Sequence, residues 1–198
     1  MAAHAQALQR DAMNTTEAVE LITAAMPESG STWADMGAGS GTFTRALARL
    51  LGPSSRIYAV DRDVRAVESL RRSSAKGTPP ILPVLADLTR PFELPGLDGM
   101  LLDGMLIANT LHFVRDADVV LARLAAQVRP GGRVVLVEYD RRAASRWVPY
   151  PIPIAQLPAL ARSAGLSAPA VVAMRPSAFG GTLYVAAADR AGPVRENT

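Results

Sequence analysis

Over residues 32–51 the chain reads TWADMGAGSGTFTRALARLL: an apolar run, a turn with glycine at every second position, and then an amphipathic stretch. A strand joined directly to a helix by such a turn is the repeating unit of α/β folds, and it fixes the strand's C-terminal end as a place where a ligand can approach. Glycine at 37, 39 and 41 permits positive φ and lets a ligand touch backbone with no Cβ in the way. A ligand over the start of the predicted helix at 41–51 would meet free N–H groups and the positive end of the helix dipole, which favours a carboxylate or phosphate. A tight turn that needs glycine only for packing explains the same residues, so context has to decide between the two.

The rest of the chain repeats the pattern. Apolar, β-branched runs predict strands at 32–36, 56–60, 81–86, 104–108 and 133–139. Helix-length stretches lie between them at 41–51, 63–75, 116–128 and 154–164, with one or more further helices within 5–26. The alternation implies a largely parallel sheet. It breaks near the end, where 168–174 and 182–188 read as two strands joined by the turn-rich RPSAFGG, an antiparallel hairpin closing the sheet. At 198 residues the chain has the length of one domain. We expect an N-terminal helical lid over 1–30, a core over 31–189 and a frayed tail over 190–198.

A tandem duplication complicates the fourth strand. LDGML at 97–101 is followed at once by LDGML at 102–106, so either copy can take the strand position. If the second does, the first extends the preceding loop, Asp98 stays in solvent and Asn109 stands just past the strand's end. If the first does, Asp103 moves to that end. The cost of burying a carboxylate favours the second copy.

Composition narrows the chemistry. There is no cysteine, so disulfides, thiolate metal sites and cysteine nucleophiles are excluded. The two histidines, His4 and His112, are too few for a histidine-based metal site, and no acidic cluster beyond Asp116 and Asp118 offers itself, so we expect no metal. Net charge is +3, carried by dispersed arginines with Lys76 the only lysine, which gives no strong nucleic-acid signal. No signal-peptide pattern and no run of 18 apolar residues occur, and we expect a cytoplasmic protein without membrane contact.

Asp61 ends the second predicted strand, RIYAVD, beside the glycine turn, where an acid can accept two hydrogen bonds from a ribose diol. A helix N-cap is the alternative role. Nicotinamide dinucleotides and S-adenosylmethionine both carry that diol. Dinucleotide sites want GxGxxG, and here the third glycine comes one position early.

With these motifs in order, the chain resembles the class I S-adenosylmethionine-dependent methyltransferases from about Trp33 to Ala188. DMGAGSGTF is similar to the family's first motif, VDRD to its ribose-binding acid and LADLTRP to the segment whose acid meets the adenine. MLIANTLHFV resembles its fourth-strand segment, and VRPGGRVVLVEY the turn into the fifth strand. The resemblance implies a doubly wound, Rossmann-like, mostly parallel seven-stranded sheet of order 3-2-1-4-5-7-6, with strand seven antiparallel. It implies S-adenosyl-L-methionine as cofactor, with Gly37, Gly39 and Gly41 along its methionine part, Asp35 near its ammonium and Asp61 on its ribose. Ala86 and Asp87 would hold the adenine, and Asn109 would floor the pocket by its carbonyl.

Methyl transfer from a sulfonium needs positioning and exclusion of water, and a general base only if the acceptor arrives protonated. His112 and Asp140 are the candidate bases, with a packing histidine and a strand-end cap as their alternative roles. Acceptor contacts are expected from the N-terminal helices, the linker RRAASRWVPYPIP at 141–153 and the AFGG loop. The reading is a methyltransferase acting on a small-molecule acceptor. An RNA or protein methyltransferase and a non-catalytic S-adenosylmethionine-binding module are the alternatives. The sequence leaves the oligomeric state open.

Overall fold

The computed structural model describes residues 13–27, 32–74, 79–177 and 180–192. Seven strands form one sheet in the order β3-β2-β1-β4-β5-β7-β6: β1 (Thr32–Met36), β2 (Arg56–Asp61), β3 (Ile81–Leu85), β4 (Leu102–Ala108), β5 (Val128–Asp140), β6 (Ala170–Pro176) and β7 (Thr182–Asp189). Strands β1 to β5 run parallel, while β7 lies antiparallel between β5 and β6. Among the described residues, five α-helices flank the sheet: α1 (Thr15–Ile22), α2 (Thr42–Leu51), α3 (Val64–Ser74), α4 (Ala117–Ala125) and α5 (Leu157–Ser163).

The two faces follow from the period of two along each strand. Trp33, Ile57, Leu106, Val135 and Val185 pack toward α1 and α2, and Ala59 packs under Leu70 of α3. Ala34, Met36, Tyr58, Met105, Ile107 and Leu136 pack on the other face against α4 and α5. Both faces are covered, so the central strands are apolar on both sides. The capping box of Asn14 and Glu17 starts α1 by satisfying its first N–H groups. Pro83 sits in β3, the edge strand, where a missing backbone donor costs least.

The second LDGML copy forms β4. Gly104 pairs with Trp33, and a Cβ there would lie 2.4 Å from the indole, so this glycine seats the tryptophan. Asp103 accepts from the Thr32 N–H at 3.0 Å and from Arg129 Nε at 2.7 Å, tying the start of β4 to its neighbours. The first copy is a loop in which Asp98 takes φ 47° and Met100 is exposed.

Strand β5 begins earlier than its sequence suggests. Val128 already pairs with Leu102, and the next pair is Gly104 with Arg133, so Arg129–Gly132 bulge between them with Gly131 at φ 73°. Helix 154–164 opens instead as a 3-10 turn at Ile154–Gln156 before α5. The first part of the predicted N-terminal helices, Ala178 and Phe179 of the AFGG loop and most of the tail lie outside the described residues.

Candidate functional site

Two adjoining cavities open at the C-terminal edge of the parallel strands, where β1 and β4 part to opposite neighbours in the sheet order. The first, about 300 Å³, is lined by Gly37, Gly39, Asp61, Ala86, Asp87 and Thr110 among others. The second, about 400 Å³ and more apolar, is lined by His112, Tyr139, Arg142, Trp147 and Val148. Asn109 and Phe113 line both.

The glycine turn is held by its own amides. Gly37 and Ala38 both donate to the Val60 carbonyl, at 2.8 and 2.9 Å, Gly39 donates to Asp61 Oδ2 at 2.7 Å, and Gly41 donates to the Ala38 carbonyl at 2.8 Å. These N–H groups are therefore committed to the turn, and the glycines serve close approach rather than anion capture. A Cβ on Gly37 would fall 2.2 Å from Thr110 Oγ1, so the turn closes directly on the end of β4. A Cβ on Gly39 would meet nothing within 4 Å: this backbone faces open space in the first cavity. Gly41, at φ 84°, starts α2 and packs under Leu70 without lining either cavity.

Asp61 is held rigidly, since its Oδ1 accepts from the Asp63 N–H at 2.8 Å while Oδ2 holds Gly39. Both oxygens keep lone-pair capacity toward a ligand. Asp87 is oriented by Thr89, whose N–H and hydroxyl both bond Oδ1; these bonds hold its carboxyl below the usual carboxylate range. Asp35 lies beneath the turn, buried and away from both cavities. Thr44 Oγ1 donates to its Oδ2 at 2.6 Å, Oδ1 has no partner among the described residues, and burial pushes its pKa up to about 7.

Asn109 takes the left-handed conformation, φ 51°, one residue past β4, with its N–H on the Val137 carbonyl. Its Oδ1 is buried with no partner among the described residues. Asparagine tolerates this backbone better than most residues, and an unbonded buried acceptor at a cavity floor is a vacancy for a donor.

His112, which lines the second cavity, is paired with an acid that the sequence does not announce. His112 Nδ1 lies 2.7 Å from Glu138 Oε2, with both side chains buried. Oε1 of Glu138 accepts from the backbone N–H groups of Thr110 and His112 at 3.2 and 3.3 Å, so the carboxylate also fixes the turn that carries the histidine. A carboxylate only accepts, which puts the proton on Nδ1 and the lone pair on Nε2. No other group among the described residues hydrogen-bonds the ring. Glu138 had one signal in the sequence, an acid at an inward position of VVLVEYD where every neighbour is apolar or aromatic.

Asp140 lines neither cavity. Its Oδ1 accepts from the Ile154 N–H at 3.1 Å, anchoring the approach to α5. The linker 141–153 does reach the second cavity, pinned by Tyr150 N–H on the His112 carbonyl and by Tyr184 Oη on the Ile152 carbonyl. Helix α1 lines neither cavity.

Comparison with known proteins agrees with this geometry. A family model described as a methyltransferase domain matches residues 34–132, half of the chain. An uncharacterised 37.1 kDa protein in a transposon of Streptomyces fradiae is 31% identical over 136 residues, covering 66% of this chain and 38% of that protein. The chain thus spans less than two fifths of that relative's length. Among solved structures, the magnesium protoporphyrin IX methyltransferase of Synechocystis with bound S-adenosylmethionine superposes with a TM-score of 0.66 at 20% identity, covering 89% of this chain and 78% of its own. The CurJ carbon methyltransferase gives 0.68 at 19%, covering 86% and 51%. At these identities the likeness is one of fold, and it includes the sheet order found here. Family model, sheet order and the placement of the site together establish that the chain belongs to the methyltransferase-domain family, whose cofactor is S-adenosylmethionine.

Proposed function

We propose that this protein transfers a methyl group from S-adenosylmethionine to a small-molecule acceptor, with the first cavity for the cofactor and the second for the acceptor. The observation that carries the reading is the junction at Asn109 and Phe113: two cavities meet there, and His112, paired with buried Glu138 behind it, lines the second.

The residues present fit the cofactor. Gly39 leaves open the space a Cβ would fill, and the buried Asn109 Oδ1 awaits a donor, both of which suit adenosine joined to an amino acid. In this reading Asp61 accepts from the ribose diol, Ala86 and Asp87 hold the adenine, and Gly37 and Gly39 allow the close approach. S-adenosylmethionine supplies a methyl on positively charged sulfur, an electrophile that needs no protein nucleophile.

His112 takes the acceptor's proton on Nε2, and Glu138 stabilises the imidazolium that forms. Asp140 acts by fixing the linker, not as a base. Half-exposed Phe113 and exposed Trp147 frame the opening and limit water at the junction. A cavity of about 400 Å³ suits a small organic molecule better than a polymer. Solved proteins of this fold include a carbon methyltransferase and a porphyrin methyltransferase, and such organic acceptors are the class we extend to this chain.

Incubation with methyl-labelled S-adenosylmethionine and a cell extract separated by size tests the reading. Label is expected in the small-molecule fraction and lost with Glu138→Gln; label in RNA or protein instead would refute it.

A further inference from the structure

The second cavity is also lined by a cation, Arg142, one of whose nitrogens has no acceptor among the described residues. Arg142 lines it beside His112 and lies over the Tyr139 ring, 4.6 Å from the centroid. Its Nη1 is buried and, among the described residues, has no hydrogen-bond acceptor. The adjacent arginines differ: Arg141 is exposed and pairs with Asp140 at 3.6 Å, and Arg146 stacks on exposed Trp147. The face of Tyr139 attracts the guanidinium but does not replace an acceptor for a buried N–H. A charged donor held this way in an aromatic cavity, next to a paired base, is complementary to a negative oxygen supplied from outside.

We propose that Arg142 binds an oxyanion on a planar acceptor, and that the acceptor is an enolisable carbonyl compound or a phenol, ionised in place by His112. This rests on the methyltransferase reading above. The acceptor's C–H or O–H proton passes to His112 Nε2, and the electron pair left behind is shared with the oxygen that Arg142 holds. That pair then forms the bond to the methyl group as the carbon–sulfur bond breaks; its electrons stay on sulfur, giving a thioether, and the proton leaves His112 for solvent. Each charge created by the proton transfer meets an opposite one already in position, imidazolium against Glu138 and oxyanion against Arg142. The aromatic walls, Phe113, Tyr139 and Trp147, match the flat shape of such an acceptor.

The test uses 4-nitrophenol, whose phenolate is yellow, with the full chain saturated with S-adenosylhomocysteine at a pH where the free probe is mostly protonated. Wild-type protein is expected to raise the ionisation constant of the bound probe roughly tenfold, the worth of a hydrogen bond to a charged group. Arg142→Gln should abolish the rise, and Arg142→Lys should keep part of it. A phenolate fraction equal to that in buffer, or a rise that survives Arg142→Gln, overturns the proposal. Benzoate displacing the probe as tightly as the phenolate binds, and through Arg142, would assign the arginine to a permanent carboxylate and overturn it as well. Calorimetry of S-adenosylhomocysteine on the same variants reads the first cavity separately, so loss of cofactor binding in the wild type would fault the methyltransferase reading rather than the role of Arg142.

Discussion

Asp35 and Glu138 are both buried acids on central strands, and their surroundings treat them in opposite ways. Glu138 receives three hydrogen bonds, whereas Asp35 receives one and keeps an oxygen without a partner among the described residues. Burial, the largest cause, raises the Asp35 pKa from 3.8 to about 7, with nearby Asp61 adding to it. The folded protein therefore holds this proton more tightly than the unfolded chain. Its contribution to stability is full below about pH 4 and is lost as pH rises toward about 7. Asp35→Asn carries no charge at any pH, so its stability relative to wild type should climb across that interval by an amount on the order of a few kcal/mol. Thermal unfolding of both proteins at several pH values checks this, and a constant difference would contradict it. For the His–Glu pair, His112→Ala should lower kcat by roughly 10²–10⁴ while S-adenosylhomocysteine affinity holds, and Glu138→Gln should lower it in the same direction. His112 was legible as a candidate because it follows the fourth strand. Glu138 was not, since its role exists only once β5 lies beside the turn carrying a residue 26 positions away.

The duplicated LDGML shows how an element is chosen when local sequence gives no preference. The two copies are identical, so what decides is the sequence that follows: the second continues as Ile107-Ala108, both buried, while the first would place Leu102-Asp103 there. A carboxylate in the apolar position of Ala108 loses that competition. The same glycine in the two copies then has different duties. Gly104 has an indole 2.4 Å from any added Cβ, whereas Gly99 has nothing within 4 Å and only its φ of 80° to protect. Gly104→Ala should cost about 1–3 kcal/mol or more by overpacking Trp33, and Gly99→Ala about 1–2 kcal/mol from its left-handed backbone alone. Denaturant unfolding of the two variants ranks them, and a larger loss at Gly99 would contradict the strand assignment. The strands and helices themselves were readable from their periods. The early start of β5 was not, because Arg129–Gly132 reads as a turn and only pairing across to Leu102 shows it to be a bulge.

At the scale of the whole molecule, the fold was legible because the order of elements admits few topologies, and the closing hairpin puts β7 against β5. The placement of Asp61, Asp87 and Asn109 at the first cavity was legible for the same reason: each lies at or just past the end of a strand. The second cavity was less so, because it is assembled from β5, the turn after β4 and a linker with almost no regular structure. Calorimetric titration of the protein with S-adenosylhomocysteine, beside NAD and the Asp61→Ala variant, tests the central claim most directly. We predict micromolar binding of S-adenosylhomocysteine, none of NAD, and loss of most of the affinity with Asp61→Ala. Binding of NAD, or S-adenosylhomocysteine binding indifferent to Asp61, would contradict the account.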